Sequence, residues 1–143
     1  MKFTKYLICF IAFIYSCPHG AQNLMVRLFS QNEIQSIELT VVQGSYQVHG
    51  KNGFLSEVNQ GGTINLQVNS SNQIHVAKNG SFLGLHDTLF VLQSSHSDYV
   101  RLSPKLKNKT DIKSRKYEGD FEISAFYGHI QVVNAIFLES YLE

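Results

Sequence analysis

Short segments in which apolar and polar residues alternate follow one another through most of the chain, and they limit the possible folds more than any other feature. Residues 34–42 and 63–68 are the clearest cases, because Ile37, Leu39 and Val41 in the first and Ile64, Leu66 and Val68 in the second alternate with polar residues. Glycine-rich or asparagine-rich turns separate the segments roughly every eight to twelve residues. This pattern predicts a mainly β fold, in which many short antiparallel strands form a sheet, a sandwich or a barrel-like arrangement.

Turn residues support the same interpretation. Asn79-Gly80 stands between two short strand-like segments, and both central residues of a type I′ hairpin turn need positive φ, which Asn and Gly tolerate. Asn52-Gly53 is predicted to form another turn. No long stretch before Leu138 has helical periodicity. Because many strands carry polar residues at alternate positions, at least one face of the sheet should be exposed to water.

The last segment, residues 117–143, is predicted to form a strand, a tight turn at Tyr127-Gly128, a second strand over 129–135 and the start of a helix at Leu138. The first helical turn fixes several dihedral angles for little hydrogen bonding in return, so domains seldom end there. We therefore expect the chain to be a fragment whose most important part lies beyond Glu143.

Residues 1–21 have the composition of a secretory signal peptide: two lysines, an apolar run over 6–15 and a small-residue exit ending at Ala21. The apolar run is too short to cross a bilayer, which takes about 20 residues. The sequence therefore predicts cleavage after Ala21 and export to the periplasm, the cell envelope or the medium. An alternative is lipoprotein processing at Cys17. Without a lipid at Cys17, the chain would contact the membrane only through its leader before cleavage.

Cleavage after Ala21 would remove Cys9 and Cys17 together, so no disulfide is expected in the mature chain. The formal net charge of the whole chain is +1. A charge this close to zero does not indicate a nucleic-acid partner.

Residues 104–116 depart from the alternating pattern, because they hold six basic residues and one Asp. Pro104 is predicted to end the preceding strand. The segment would separate a β-rich region, residues 22–103, from residues 117–143. It is either a solvated basic loop that only connects them or a site for an anionic polymer such as teichoic acid or a lipid headgroup. No aromatic residue is interleaved with the basic ones, which favours the connection.

The search for catalytic, cofactor-binding or metal-binding residues leads to no assignment. No two of the six histidines have a metal-ligand spacing, and no G-x-S-x-G motif accompanies His86-Asp87 or His96-x-Asp98. These two pairs are more typical of turns. The histidines are His19, His49, His75, His86, His96 and His129.

Three carboxylates near the end of the chain, Glu118, Asp120 and Glu122, alternate along the predicted strand and are expected to form a solvated acidic row. Acid–base catalysis would need two carboxyl groups in different environments. An exposed row does not provide that difference. Glu139 would lie in the first turn of the predicted helix, where a negative charge is favourable.

The final segment nevertheless resembles a known family. Tyr117-x-Gly119, then Gly128-x-Ile130-x-Val132-Val133-Asn134 and Leu138-Glu139-x-Tyr141-Leu142, are similar to the domain of stage II sporulation protein D and the amidase enhancer LytB, the SpoIID/LytB family. The clear match covers residues 117–143. The earlier Val26-Arg27-Leu28-Phe29 and Gly44-x-Tyr46 are also similar to the β-rich beginnings of exported family members.

The resemblance implies a role in peptidoglycan remodelling. The parent protein would be a lytic transglycosylase acting on glycan strands stripped of stem peptides, or an enhancer of a cell-wall amidase, with no cofactor. The family's catalytic glutamate lies in a G-V-V-x-x-E-M segment, expected beyond Glu143. No residue of this chain takes that role, because Glu139 and Tyr141 match only the lead-in.

The fragment itself is therefore expected to be inactive alone, with residues 22–103 as a platform that contacts peptidoglycan glycan strands or the amidase. The alternative is an exported β-domain that acts as a binding or adhesion module without catalytic activity.

Overall fold

A computed structural model describes residues 23–106 and 112–137. Within these ranges the chain forms twelve strands, and every strand pairing is antiparallel. The predicted mainly β fold is confirmed, whereas the predicted helix start at Leu138 lies outside the described residues. The strands are β1 (Asn23–Leu28), β2 (Ile34–Gln43), β3 (Ser45–Gly50), β4 (Gly53–Asn59), β5 (Thr63–Val68), β6 (Ile74–Lys78), β7 (Ser81–His86), β8 (Thr88–Gln93), β9 (Tyr99–Leu106), β10 (Arg115–Glu118), β11 (Asp120–Phe126) and β12 (His129–Phe137).

Three neighbouring pairs of strands each behave as one long strand with a bend. Gly44 joins β2 to β3, residues 94–98 join β8 to β9, and Gly119 joins β10 to β11. The bends therefore divide one continuous sheet into two halves. Half-sheet I has the strand order β4-β3-β8-β11-β12-β1, and half-sheet II has the order β10-β9-β2-β5-β6-β7. Strands that pass between sheet layers through bends or bulges are a common way to make such corners.

The sheet also returns on itself at the opposite side. Ile130 of β12 pairs with Ile34 of β2. The turn between β11 and β12 then docks on half-sheet II, because Gly128 N–H donates to Asn72 Oδ1 at 2.8 Å and Gln35 Nε2 donates to the Gly128 carbonyl at 3.0 Å. These contacts bring the sheet close to a closed barrel.

Inward-facing side chains from both halves make a single core. The alternation seen in the sequence is the alternation between this core and the outside, as in β5, where every second residue is buried. Full burial of an Ile, Leu, Val or Phe side chain contributes about 1.5–3 kcal/mol. The largest fully buried side chains are Tyr46, Phe121, Ile34, Ile37, Leu39, Ile64, Leu66, Ile74, Leu89, Leu102, Ile123 and Ile130.

A buried carboxylate stabilises the first corner. Asp98 is only 5% exposed, and its Oδ2 accepts hydrogen bonds from the backbone N–H of Ser95 at 2.9 Å and of Ser45 at 3.3 Å. Its carbonyl oxygen accepts the Tyr46 hydroxyl at 3.2 Å. Gly44 has a φ of +81°, and a Cβ there would overlap the Asp98 carboxylate. Glycine is therefore required on both steric and conformational grounds.

A buried amide stabilises the second corner. Gly119 has a φ of +90°, and a Cβ there would overlap the carbonyl oxygen of Ala135 on β12. Asn134 is 1% exposed, and its Nδ2 donates to the carbonyls of Glu118 at 2.8 Å and Asp120 at 3.0 Å. One side chain thus satisfies carbonyls on both sides of the bend, which would otherwise be costly to bury.

Two features differ from the sequence-based expectations. Strand β4 was not predicted, because a register shift between Val48 and His49 on its partner β3 breaks the alternation around Leu55. Strand β9 does not end at Pro104 but continues to Leu106. Pro104 lies beyond the end of β10, so among the described strands β9 has only β2 as a neighbour there. A proline at an unpaired edge of a strand removes no hydrogen bond between strands.

Tyr46 should make the stability of the fold sensitive to alkaline pH. Burial, and then the nearby charge of Asp98, raise the pKa of its phenol above the ordinary value of 10.0. The unfolded state therefore loses this proton first, so the stability contributed by the neutral phenol is complete below pH 10 and is lost as the pH rises above it. The slope is up to about 1.4 kcal/mol per pH unit.

The Tyr46→Phe variant isolates this effect. It should lose about 1 kcal/mol at pH 8, because the hydroxyl no longer donates to Asp98, and it should show a smaller decrease between pH 10 and pH 11. Urea unfolding at the three pH values measures both quantities. If the free energy of unfolding fell equally steeply between pH 10 and pH 11 for the wild type and the variant, the alkaline sensitivity could not be assigned to Tyr46.

Candidate functional site

The outer face of half-sheet II is polar, and cross-strand pairing arranges its side chains in rows. The first row crosses β9, β2, β5, β6 and β7 and consists of Lys105, Ser36, Gln67, His75 and Leu85. The second row lies beside it and consists of Ser103, Glu38, Asn65, Ala77 and Phe82. These residues point outward because their strand neighbours, such as Ile37 and Leu66, are buried in the core.

A groove with a volume of about 320 Å³ runs over these rows. Its lining combines side-chain amides, a hydroxyl, a carboxylate and an imidazole, and the backbone of the two buried residues forms part of its floor. The groove can therefore donate and accept hydrogen bonds along one extended surface. The lining residues are Ser36, Ile37, Glu38, Asn65, Leu66, Gln67, His75, Ala77 and Lys105.

An apolar border lies on the β7 side of the groove. The register between β6 and β7 shifts by one residue between Val76 and Ala77, so both Phe82 and Leu85 face outward. The Phe82 ring packs on His75 with 4.5 Å between ring centroids and an interplanar angle of 33°. Phe82 is 58% exposed. This pair therefore presents a flat aromatic surface next to polar side chains.

The opposite border, on β9 and β10, is cationic. Lys105 lines the groove, and Arg101 pairs with Thr40 on one side and with Lys116 on the other. The Lys116 ammonium lies 5.3 Å from the centre of the Tyr99 ring, which is within cation–π range. Thus strands extend into both ends of the basic segment predicted over 104–116, while residues 107–111 lie outside the described ranges.

A scan against protein-family models finds no match, and neither do searches of curated proteins and of solved structures. The resemblance to the SpoIID/LytB family rests on the residues quoted above and stays a prediction.

Several of those residues have structural positions in this fold. Tyr117 packs against Phe29, with 6.2 Å between ring centroids, and burial raises the pKa of its phenol. Gly119 and Asn134 form the second corner, and Gly128 forms the turn with a φ of +80°. The remaining residues of the resemblance, 138–142, lie outside the described ranges.

The histidine–aspartate pairs considered in the sequence have separate partners. Asp98 accepts backbone amides at the first corner, whereas the His96 ring packs edge-on against Phe137 at 4.0 Å between centroids. His86 Nε2 is 3.5 Å from the Leu83 carbonyl, and Asp87 is exposed. Neither pair is thus arranged as a catalytic dyad.

The predicted acidic row is only partly solvated. Glu118 and Glu122 are exposed, but Asp120 Oδ1 accepts the Gln93 backbone N–H at 2.8 Å. Asp120 therefore links β11 to the end of β8 instead of facing water freely. It also lines a second pocket of about 460 Å³ at the bend, together with His96 and Phe137.

Metal and membrane features were also examined across residues 23–106 and 112–137. No group of three or more His, Cys, Asp or Glu side chains there could hold a metal ion. No helix in the described part of the chain has the length and hydropathy needed to span a bilayer.

The groove itself was not predicted. Its residues are the polar members of the alternating strands, and the sequence indicated only that some sheet face is wet. The strand order that assembles β9, β2, β5 and β6 side by side depends on pairings between residues far apart in the chain, and no local pattern reports it.

Proposed function

We propose that this chain is an exported binding module for peptidoglycan glycan strands, which lie along the outer face of half-sheet II. The observation that carries the proposal is the groove of about 320 Å³ with polar walls between an aromatic border and a cationic one. Sugars offer hydroxyl and acetamido groups for hydrogen bonding and an apolar ring face for stacking. The two rows of side chains and the His75–Phe82 pair supply both kinds of contact.

The shape of the face suits a polymer. Five adjacent strands at spacings of about 4.8 Å give a face roughly 19 Å across, enough for several sugar rings in a line. Asn65 and Gln67 lie near the middle, where their amides can both donate and accept.

The cationic border suits a glycan without stem peptides, because removal of the peptide leaves a free carboxylate on the muramic acid. Lys105 and Arg101 on β9 are placed to attract such groups. Binding should therefore weaken as salt concentration increases.

The enzymatic part of the proposal concerns the parent protein. By resemblance it would be a SpoIID/LytB-type lytic transglycosylase or amidase enhancer, with an amidase as a further partner and the catalytic glutamate outside this chain. The support is the set of residues quoted for the resemblance.

The alternative is a binding or adhesion module without catalysis. Gly119 and Asn134 favour it, because their roles at the second corner account for these residues without any glycan chemistry. The two proposals differ in whether the parent protein takes part in peptidoglycan cleavage, by itself or through an amidase, and both use the same groove for binding.

Replacement of Phe82 by alanine should weaken glycan binding about tenfold, equivalent to about 1.4 kcal/mol. The variant loses the aromatic surface next to the groove while the buried core stays intact. Co-sedimentation of the purified chain with intact peptidoglycan and with amidase-stripped glycan measures the effect. The stripped glycan should retain more of the wild-type chain.

Phe54→Ala is the matched control. Phe54 is 59% exposed and also packs against a histidine, His49, but it lies on half-sheet I. Its removal should leave binding unchanged. Negligible retention of the wild-type chain on both materials would refute glycan binding, and equal losses for the two variants would refute its assignment to half-sheet II.

A further inference from the structure

The second pocket, at the bend that joins β8 to β9, has the chemistry of a small-molecule site. Its volume is about 460 Å³, which suits a ligand the size of one sugar or one amino acid. It shares no lining residue with the groove of half-sheet II. The residues that line this corner pocket are Gln93, Ser94, Ser95, His96, Asp120 and Phe137.

The polar part of the lining is rich in hydrogen-bond acceptors. Asp120 Oδ1 accepts the Gln93 backbone N–H at 2.8 Å. A carboxylate can accept about four hydrogen bonds in all, so Oδ2 retains capacity for a donor on a ligand. Gln93 Oε1 is buried and has no hydrogen-bond partner within the described ranges, which is an unfavourable state for an acceptor. The lining therefore favours a ligand that donates.

The apolar part of the lining is aromatic. The rings of Phe137 and His96 meet at an interplanar angle of 80°, with 4.0 Å between their centroids. The face of a phenyl ring carries partial negative charge and attracts cations. Phe137 thus offers a surface that suits a positively charged group as well as an apolar one.

The charges around this corner have one sign. Burial raises the pKa of the Tyr46 phenol, and the nearby carboxylates of Asp98, Asp120 and Glu118 raise it further. All three carboxylates therefore act on the same corner of the fold. None of the described residues that line the pocket is Lys or Arg. The potential in the pocket should consequently be negative.

We propose that the corner pocket binds a primary ammonium group, carried by a ligand the size of one amino sugar or one diamino acid. The ammonium donates to Asp120 Oδ2 and lies against the face of Phe137. Its remaining N–H groups can reach the hydroxyls of Ser94 and Ser95. The proposal does not depend on glycan binding, because the groove and the pocket have separate residues.

Matched pairs of small probes test the requirement for the charge. Glucosamine and Nα-acetyl-lysine each carry a free amine, whereas N-acetylglucosamine and Nα,Nε-diacetyl-lysine do not. Titration of the ¹⁵N-labelled chain with each probe, followed by NMR, measures affinity and location together. At least one amine should bind with a Kd on the order of 1 mM and shift the amide signals of residues 94–96 and 120. Whichever amine binds more tightly identifies the source of the ammonium group.

Asp120→Asn tests the carboxylate. The amide oxygen of Asn can still accept the Gln93 N–H, but the charge is lost, so affinity for the amine should fall about tenfold or more. Glu57→Gln is the control, because Glu57 is an exposed carboxylate on β4, three strands from β11 in half-sheet I. It should bind like the wild type.

The wild-type chain alone decides the outcome if Asp120→Asn fails to fold. The proposal is overturned if neither amine shifts the signals of the corner pocket, or if the acetylated probes bind there as tightly as the amines. An equal loss of affinity in the two variants would also overturn it, because the effect would then come from net charge and not from Asp120.

Discussion

Gly119→Ala is expected to lower the free energy of unfolding by roughly 3 kcal/mol or more, the largest effect among single substitutions at the bends. Two costs add at this position. The φ of +90° disfavours any residue with a Cβ, and that Cβ would overlap the carbonyl oxygen of Ala135. Because this neighbour is backbone on the central strand β12, it cannot move aside as a flexible side chain would.

Gly128→Ala provides the matched comparison. Gly128 has a similar φ of +80°, but a Cβ there would meet nothing within 4 Å. The cost should be limited to the conformational term, about 1 kcal/mol. Urea unfolding of both variants measures the difference. If the two variants lost similar amounts of unfolding free energy, β12 would have to shift at the second corner to make room for the Cβ, and the overlap would not explain the requirement for Gly119.

Asp98→Ala is expected to cost about 3 kcal/mol. The carboxylate is almost fully buried and accepts the backbone N–H groups of Ser95 and Ser45, which would both lose their partner. A hydrogen bond to a charged group contributes about 1.5–3 kcal/mol, and an unsatisfied buried donor is costly in addition. Urea unfolding at neutral pH measures the loss.

Two further variants separate hydrogen bonding from charge. Asp98→Asn keeps one acceptor oxygen and should recover part of the lost stability. Asp87→Ala removes an exposed carboxylate and should change the free energy of unfolding by no more than about 0.5 kcal/mol. A loss for Asp98→Ala as small as that for Asp87→Ala would contradict the role given to the first corner.

These corners are important beyond stability, because they set how the two outer faces are oriented. The polar groove lies on half-sheet II, and the three long strands that bend at Gly44, residues 94–98 and Gly119 connect it to half-sheet I. A substitution that relaxes a bend should therefore disturb glycan binding and lower stability together. Substitutions of exposed groove residues, such as Phe82→Ala, should weaken binding while leaving stability nearly unchanged.

Local patterns were sufficient to predict most of the strands. Ile64, Leu66 and Val68 alternate with polar residues because one side of β5 faces the core, and the structure buries all three. Asn79 and Gly80 have φ values of 47° and 88°, as the predicted hairpin requires. Prediction failed for β4, where the bulge at Leu55 breaks the alternation, and for the end of β9, where an unpaired edge lets the strand continue past Pro104.

The carboxylates show the limit of reading one strand at a time. Glu118, Asp120 and Glu122 have the same period in the sequence, yet Asp120 follows the bend at Gly119 and binds the backbone of Gln93. A positive φ at one glycine cannot be inferred from alternation, and neither can a hydrogen bond to a residue 27 positions away.

By itself, the sequence determined the class of fold, the positions of most strands and the side of each strand that is buried, because period-two burial is a local property. Only the tertiary structure decided which strands are neighbours. That choice places Ser36, Gln67 and His75 in one row of a groove, and Glu122 and Arg27 in one row of the other half-sheet. Such rows form only through long-range pairing, which is fixed by the packing of the whole core and by the three bends.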